Sequence, residues 1–375
     1  MSMRISGPRR RIRNGRRKRT GGTAMKIINP EPQSDEEKPV KVFWQRPGFW
    51  VILLLLAGAS VYYKDSWQDI WTGIQQITRG ELLHCILFSV AAYFLEGMTI
   101  ACMMNTVLPS LPVKKGVNIA YLCEFYRLIT LGNGSGFAEI YYLHKNKIET
   151  GTATALTMLQ YICKRTAIII LGSIGFGILF FRCDTQALCK DYVGFMIIGY
   201  VVSLLVITLF LCVALSNKVA SVILKLMEWT VTKKPSWERR VYAWKEQIVL
   251  LNQSGRIILG QKYKIILVIL LQTGKLFLFY AIPAYLLRGC LQSQVALPDF
   301  LLCILLMSVA YMLSGVIPAP SGVGSLEFVF LLFFSGVAKT QTAVPTILVF
   351  RFATWVIPFM IGGVINLVSA SERSK

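Results

Sequence analysis

Apolar residues fall along this chain in long blocks. The blocks cover residues 48–63, 82–108, 116–132, 152–181, 193–215, 265–287, 300–317, 321–338 and 343–369. An α-helix needs about 20 apolar residues to cross a bilayer, and most of these blocks approach that length. The pattern predicts an all-α polytopic membrane protein. The first block is short, but Trp44 and Trp50 flank one end and Tyr62, Tyr63 and Trp67 the other, as interfacial anchors do. It is not expected to be a cleaved signal, because the tail before it is long and no small-residue cleavage site follows Ala57-Gly58-Ala59.

Two blocks do not read as simple spans. Residues 116–132 run into Leu131-Gly132-Asn133-Gly134-Ser135-Gly136, and residues 300–317 run into Ile317-Pro318-Ala319-Pro320-Ser321-Gly322-Val323-Gly324. Each break is followed by another apolar stretch. Broken helices at membrane depth survive only where protein or a water-filled cavity covers the freed backbone. Both are therefore expected to be re-entrant hairpins, leaving six full crossings.

Composition sharpens this picture. The chain has 375 residues, is 54% hydrophobic and 16% charged, and has a mean hydropathy of +0.55. Soluble domains average about 25% charged residues, so an ordinary cytosolic enzyme is excluded. The net charge of +21 raises nucleic acid as a partner. However, nine of the 40 basic residues lie in the first 24 positions, which contain no acid. Most of the remaining excess lies in one loop, a distribution that suits the positive-inside rule better than a DNA groove. Met1 to Ala24 has the composition of a disordered basic arm, and Met25 stays open as an alternative start.

With the N-terminus inside, segments 1–47, 109–116, 143–151, 216–264 and 370–375 hold 29 Lys and Arg, against 6 in 64–81, 182–192, 288–299 and 339–342. Both termini are thus expected in the cytoplasm, with the two hairpins entering from opposite sides. The predicted organisation is a basic tail 1–47, a first membrane repeat 48–181, an outside loop and start of the second repeat 182–215, a basic amphipathic loop 216–264, and the rest of the second repeat 265–370. Cys183 and Cys189 fall in an outside loop, where a disulfide and two free thiols both stay open.

An internal repeat links the two breaks. Gly136-Phe137-Ala138-Glu139 follows the first and Gly324-Ser325-Leu326-Glu327 the second. Arg165 lies 26 residues after Glu139, and Arg351 lies 24 after Glu327, both within long apolar blocks. Because the hairpins enter from opposite faces, the two units are expected to be inverted in the membrane, a plan common among secondary transporters.

Charged residues inside the apolar blocks carry the functional expectation. They are Arg127, Lys164, Arg165, Lys275 and Arg351, with Glu96, Glu124, Glu139 and Glu327. Each costs about 2.5–3.5 kcal/mol at the bilayer centre on insertion scales, so pairing or a wet cavity is required. Glu124 and Arg127 stand three apart and can pair along one helix. Lys164 and Arg165 are adjacent and must point in different directions. A helix beginning after a Gly-rich turn presents free N–H groups. Together with Arg165 and Arg351, such a start suits an anionic head group, because the guanidinium fork donates in pairs. Glu139 and Glu327 either hold these arginines, meet a cationic part of a substrate, or cap their own helix starts.

The loop 216–264 places Trp237, Val241, Trp244, Ile248 and Leu251 at helical spacing beside Arg239, Arg240 and Lys245. This stripe is expected to lie on an anionic leaflet, with a partner-protein surface as the alternative. No Walker A motif, metal-ligand cluster or assignable triad occurs in the sequence. No cofactor and no enzymatic activity are expected.

At Ile317-Pro318-Ala319-Pro320-Ser321-Gly322-Val323-Gly324-Ser325-Leu326-Glu327, followed by Phe350-Arg351-Phe352 and Ile357-Pro358, the chain resembles the lysylphosphatidylglycerol synthase transmembrane region, the flippase-like domain of the multiple peptide resistance factors and their stand-alone relatives. Gly132 to Ile148 resembles the family's earlier Gly-rich block, with Tyr142 where the family commonly has a basic residue. The resemblance covers about 45 to 370. It implies movement or handling of phospholipids in a bacterial cytoplasmic membrane. With the chain ending at Lys375, the synthase half of two-domain members is expected to be absent. The substrate-binding candidates are Glu327, Arg351, Gly322, Gly324, Glu139 and Arg165, and the expected partner is anionic phospholipid. A membrane enzyme or subunit of lipid-linked glycan or aminoacyl-lipid synthesis is the competing reading. A scaffold recruiting partners through the basic loop, and a homo-oligomer, also stay open.

Overall fold

The computed structural model describes residues 67–108, 111–130, 132, 134–181, 192–233, single positions between 241 and 249, 262–288, 290, 298–317 and 324–371. The chain divides into two units, Met1–Leu55 and Leu56–Lys375, and everything described belongs to the second. The expected first span 48–63, the basic tail, Cys183, Cys189 and Gly322 lie outside the described residues, as do Trp237, Trp244 and Leu251.

Among the described residues the chain is helical and has no strand. A short amphipathic helix, α1 (Trp67–Gln76), leads into α2 (Arg79–Met104). The start of α2 is fixed by a capping box. The Glu81 N–H donates to Thr78 Oγ1 at 3.2 Å, and the Thr78 N–H donates to Glu81 Oε2 at 2.9 Å. Then come α3 (Val113–Ile129), α4 (Gly134–Lys145), α5 (Thr150–Phe181), α6 (Val193–Leu215) and α7 (Asn217–Lys233). After the basic loop follow α8 (Lys262–Leu286), α9 (Asp299–Ser314), α10 (Ser325–Phe334) and α11 (Thr340–Arg351). A π-helical turn, Phe352–Val356, joins α11 to α12 (Ile357–Ser371).

Among the described residues, five helical stretches are long and apolar enough to cross a membrane: Arg79–Met104, Thr150–Phe181, Val193–Val213, Lys262–Leu286 and Thr340–Ser369. The pairs α3–α4 and α9–α10 are the two interrupted blocks, each broken at its Gly-rich turn. The chain is thus an all-α polytopic membrane protein. The last span departs from the expected uniform helix, because the π turn widens it directly after Arg351.

The helices pack in a matched pattern. The long helices α2 and α8 pack on each other at the centre. The first broken pair reaches across to the end of the chain, where α3 packs on α12, and the second reaches back, where α9 packs on α5. Small residues allow these approaches. A Cβ at Gly97 would collide with the backbone of Val117, and one at Gly116 with the backbone of Gly97 and Ala101, so α2 and α3 touch through their main chains. At Gly172 and Gly175 of α5, Met312 and Ser308 of α9 fill the equivalent space. Tyr280, Phe330, Phe334 and Phe350 are fully buried where α8, α10 and α11 meet.

Part of the basic loop packs on the protein itself. Val241 is buried, and Ile248 joins Val219 and Ile223 against Ile162 of α5 and Val213 of α6. One position of the stripe expected on a lipid surface is therefore covered by protein and another is partly covered. Burying these β-branched side chains removes the same apolar area from water as a bilayer would.

Candidate functional site

The second Gly-rich turn ends at Gly324, whose φ of +85° lies in the left-handed region that favours glycine. Helix α10 starts immediately after it. Glu327 Oε2 accepts the Gly324 N–H at 3.0 Å, closing the first turn. The same carboxylate receives Arg351 from α11, with Nε donating to Oε1 at 2.6 Å and Nη2 to Oε2 at 2.7 Å. Glu327 thus caps its own helix and holds Arg351 as well. The guanidinium of Arg351 lies 4.0 Å from the ring centroid of Trp355, one turn further along. Arg127 lies 5.1 Å from the same ring and pairs with Glu124 on α3. One indole ring thus stands within reach of two arginines, each neutralised by its own carboxylate.

The π turn beneath these groups has a structural cost that α2 meets. A π turn hydrogen-bonds from residue i to i+5, and here Ile357 N–H reaches Phe352 O. The neighbouring carbonyls need other donors. Ser89 Oγ donates to Ala353 O at 2.6 Å, and Tyr93 OH donates to Thr354 O at 3.0 Å. Both donors are buried, so water cannot substitute for them.

Arg127, Arg351 and Trp355 line a cavity of about 420 Å³. Four cations line it: Arg127, Lys164, Arg165 and Arg351. Gly132 from the first turn and Ser325 and Leu326 from the second also face it, so the two breaks meet at one place. Arg127 and Arg351 have their carboxylates. Among the described residues, Lys164 and Arg165 form no ion pair. Arg165 instead donates from Nε to Tyr161 OH at 3.0 Å, with its guanidinium 5.2 Å from that ring. It lies against Gly315 at the end of α9, where the missing Cβ leaves room for Nη1.

Two smaller spaces adjoin this cavity. An apolar slot of about 170 Å³ lies between α5, α6 and α9, lined by Ile169, Val202, Val206, Ile207 and Met312. It shares Tyr161, Arg165, Ile168 and Gly315 with the large cavity. A polar cavity of about 140 Å³ lies on the other side and shares Arg127, Tyr161 and Lys164. In that cavity Glu96 is fully satisfied. Lys275 Nζ stands 2.9 Å from Oε2, Gln272 Nε2 donates to Oε2 at 2.7 Å, and Gln160 Nε2 donates to Oε1 at 3.3 Å. Glu139 lines the same space.

The structure brings together four of the six expected residues: Gly324 borders the turn, Glu327 and Arg351 are bonded, and Arg165 shares their cavity. Gly322 lies outside the described residues. The expected pairing of Glu139 with Arg165 is not formed. Glu139 lies in the second turn of α4 rather than at its start, so it does not cap the helix as Glu327 does. The cation that α5 presents to the Glu139 cavity is Lys164. Lys164 also lines the large cavity and Arg165 the slot, so neither of the adjacent cations is lost to the membrane surface. Tyr142 is buried, with its hydroxyl 3.5 Å from Asn366 of α12.

Sequence reasoning missed Trp355, Tyr161 and the Glu96–Lys275 pair. Trp355 carried a signal, because it stands four residues after Arg351 on what reads as one helix. Glu96 and Lys275 lie 179 positions apart in unrelated blocks and carried none.

No curated protein matches this chain. The family model for the lysylphosphatidylglycerol synthase TM region matches residues 47–362, a span containing both broken helix pairs, all four cavity cations and Trp355. The chain belongs to that family.

Proposed function

We propose that this protein moves anionic phospholipids across the membrane without ATP, holding the phosphate in the large cavity and an acyl chain in the adjoining slot. One observation carries the reading. A space lined by four cations opens, at Arg165, onto a space lined by aliphatic side chains. That sequence of surfaces matches a phospholipid, which joins a charged head to an apolar tail. Lys164 and Arg165 leave the large cavity in cationic excess, and a phosphodiester supplies the opposite charge. Charges at membrane depth are costly when unmatched, so a bound anion is stabilised there. Lipid and protein groups exchange by non-covalent contacts alone, and the protein acts as a carrier rather than an enzyme.

In this reading the broken pairs α3–α4 and α9–α10 are re-entrant hairpins of an inverted repeat. The reciprocal packing of α3 on α12 and α9 on α5 supports it. The distribution of basic residues supports cytoplasmic termini in a bacterial cytoplasmic membrane. The test is reconstitution of the full chain into vesicles with tail-labelled fluorescent phosphatidylglycerol or phosphatidylcholine. A membrane-impermeant quencher then reports leaflet exchange. Faster exchange of the anionic lipid than in protein-free vesicles is expected. Exchange no faster than in protein-free vesicles for any anionic lipid would overturn the reading, and activity that appears only with a nucleotide-sugar donor would replace it with an enzymatic one.

A further inference from the structure

The small polar cavity contains a carboxylate that head-group binding does not use. Among the described residues no cation lies within ion-pair distance of Glu139. Helix α2 presents Tyr93 and Glu96 to this cavity, and α3 presents Cys123, Glu124 and Arg127. Helix α5 presents Tyr161 and Lys164, and α8 presents Lys275. On its own helix, His144 and Lys145 sit at the exposed far end. Glu96 is matched by Lys275 and Glu124 by Arg127, so these four charges cancel in pairs. Glu139 and Lys164 remain. Lys164 forms no ion pair among the described residues, and it lines both this cavity and the large one.

A second observation is independent of charge. Gln160 is 5% exposed and lines the small cavity, and its Oε1 has no hydrogen-bond partner. An ionised carboxylate and an amide oxygen both accept and neither donates. A protonated Glu139 supplies this cavity with a further O–H donor, beside the Ser135, Thr157 and Tyr161 hydroxyls that line it.

We infer that Glu139 is a proton-binding site coupled through Lys164 to anion binding in the large cavity, an inference that rests on the head-group reading above. Without an anion, Lys164 is the one uncancelled cation lining the small cavity, and its charge offsets that of the Glu139 carboxylate across the cavity without direct contact. When a phosphodiester enters, Lys164 pairs with it across the shared wall. The carboxylate then has no counter-charge in a poorly solvated site, which is strongly unfavourable. A proton from bulk water binds a carboxylate oxygen of Glu139, and no other bond forms or breaks. Departure of the anion leaves the Lys164 charge to offset the carboxylate across the cavity again and releases the proton. The lipid is thus carried together with a proton.

The test is calorimetric titration of the purified full chain in neutral detergent with dihexanoyl phosphatidylglycerol. Two buffers of equal pH and different ionisation enthalpy are compared, and the difference in heat counts the protons exchanged. Uptake approaching one proton per bound lipid is expected. Glu139→Gln is expected to bind the probe without uptake. Lys164→Gln is expected to bind about tenfold more weakly, also without uptake. Saturable binding with equal heats in both buffers overturns the coupling and leaves the head-group reading standing, as does uptake that persists in Glu139→Gln. Absence of saturable binding overturns both. The two-buffer comparison on the unmodified chain decides the matter even if a variant fails to fold.

Discussion

Lys275 on α8 and Glu96 on α2 meet at 2.9 Å, joining the two long helices at the centre of the bundle. Gln272 and Gln160 complete the carboxylate's shell, and Lys275 also lies 5.5 Å from the ring centroid of Tyr93 and 5.4 Å from that of Phe279. Lys275→Met leaves a buried carboxylate without its cation, a change that typically costs about 3–5 kcal/mol. The double variant Glu96→Gln, Lys275→Met removes both charges together. Thermal unfolding in detergent is expected to show a large loss for the single variant and recovery of most of it in the double. Equal losses in both would mean that the pair does not act as a unit.

Glu327 and Arg351 differ from that pair, because Glu327 also caps α10 at Gly324. Glu327→Gln keeps an acceptor for the Gly324 N–H and loses the charge. It is expected to express nearly normally and to abolish leaflet exchange, as is Arg351→Ala. Arg351→Lys keeps the charge and loses the two-pronged donation, so it should retain partial activity. The charge swap Glu327→Arg, Arg351→Glu places a cation at the start of α10 without an acceptor. It should therefore be less stable than either Glu327→Gln or the unmodified chain, by roughly 1–2 kcal/mol from the lost cap. Normal exchange by both Glu327→Gln and Arg351→Ala at normal expression would remove this pair from the transport mechanism.

Gly315 makes room for Arg165 where the large cavity meets the apolar slot. In Gly315→Ala the new methyl chiefly displaces the end of the flexible Arg165 side chain, and it meets the Met312 carbonyl oxygen at a tight 3.3 Å. Stability should change by less than about 0.5 kcal/mol. Affinity for dihexanoyl phosphatidylglycerol should fall, as in Arg165→Gln. An unchanged dissociation constant in both variants would place the head group elsewhere.

Ser89 supplies a hydrogen bond that the π turn requires. Ser89→Ala leaves the Ala353 carbonyl buried without that donor, at a cost of about 1–3 kcal/mol. The loss should appear as a lowered midpoint in thermal unfolding. Ser89→Cys, with its weak donor, should fall between the two. A midpoint identical to that of the unmodified chain would show that the carbonyl finds another partner.

From the basic bias, Lys218 of α7 is expected on the cytoplasmic side. In a chain whose Cys183, Cys189, Cys212 and Cys290 are replaced by Ala, Lys218→Cys should react with an impermeant maleimide only after the membrane is permeabilised. Rapid labelling in intact cells would invert the topology.

Composition and block length by themselves determined the all-α membrane class, because removing about 20 residues from water in one helix demands a run of apolar side chains that no other arrangement needs. The same reading located both helix breaks. Glycine and proline punctuate the chain locally, and a left-handed turn at Gly324 is a property of that residue. The local pair Glu124–Arg127 was also legible, since three residues span less than one helical turn. What only the tertiary structure decided is which distant charges meet. Glu96 finds Lys275 because α2 and α8 cross at those positions. Glu139 faces Lys164 and not Arg165 because a step of one residue rotates a helical side chain by about 100°. Sequence spacing treats those neighbours as equivalent, whereas the packing of α5 against α4 and α9 sends them to different walls. Pro358 removes one backbone donor locally, but that the Ala353 and Thr354 carbonyls of the π turn find hydroxyls on α2, more than 250 residues away in the chain, is likewise decided by the tertiary structure.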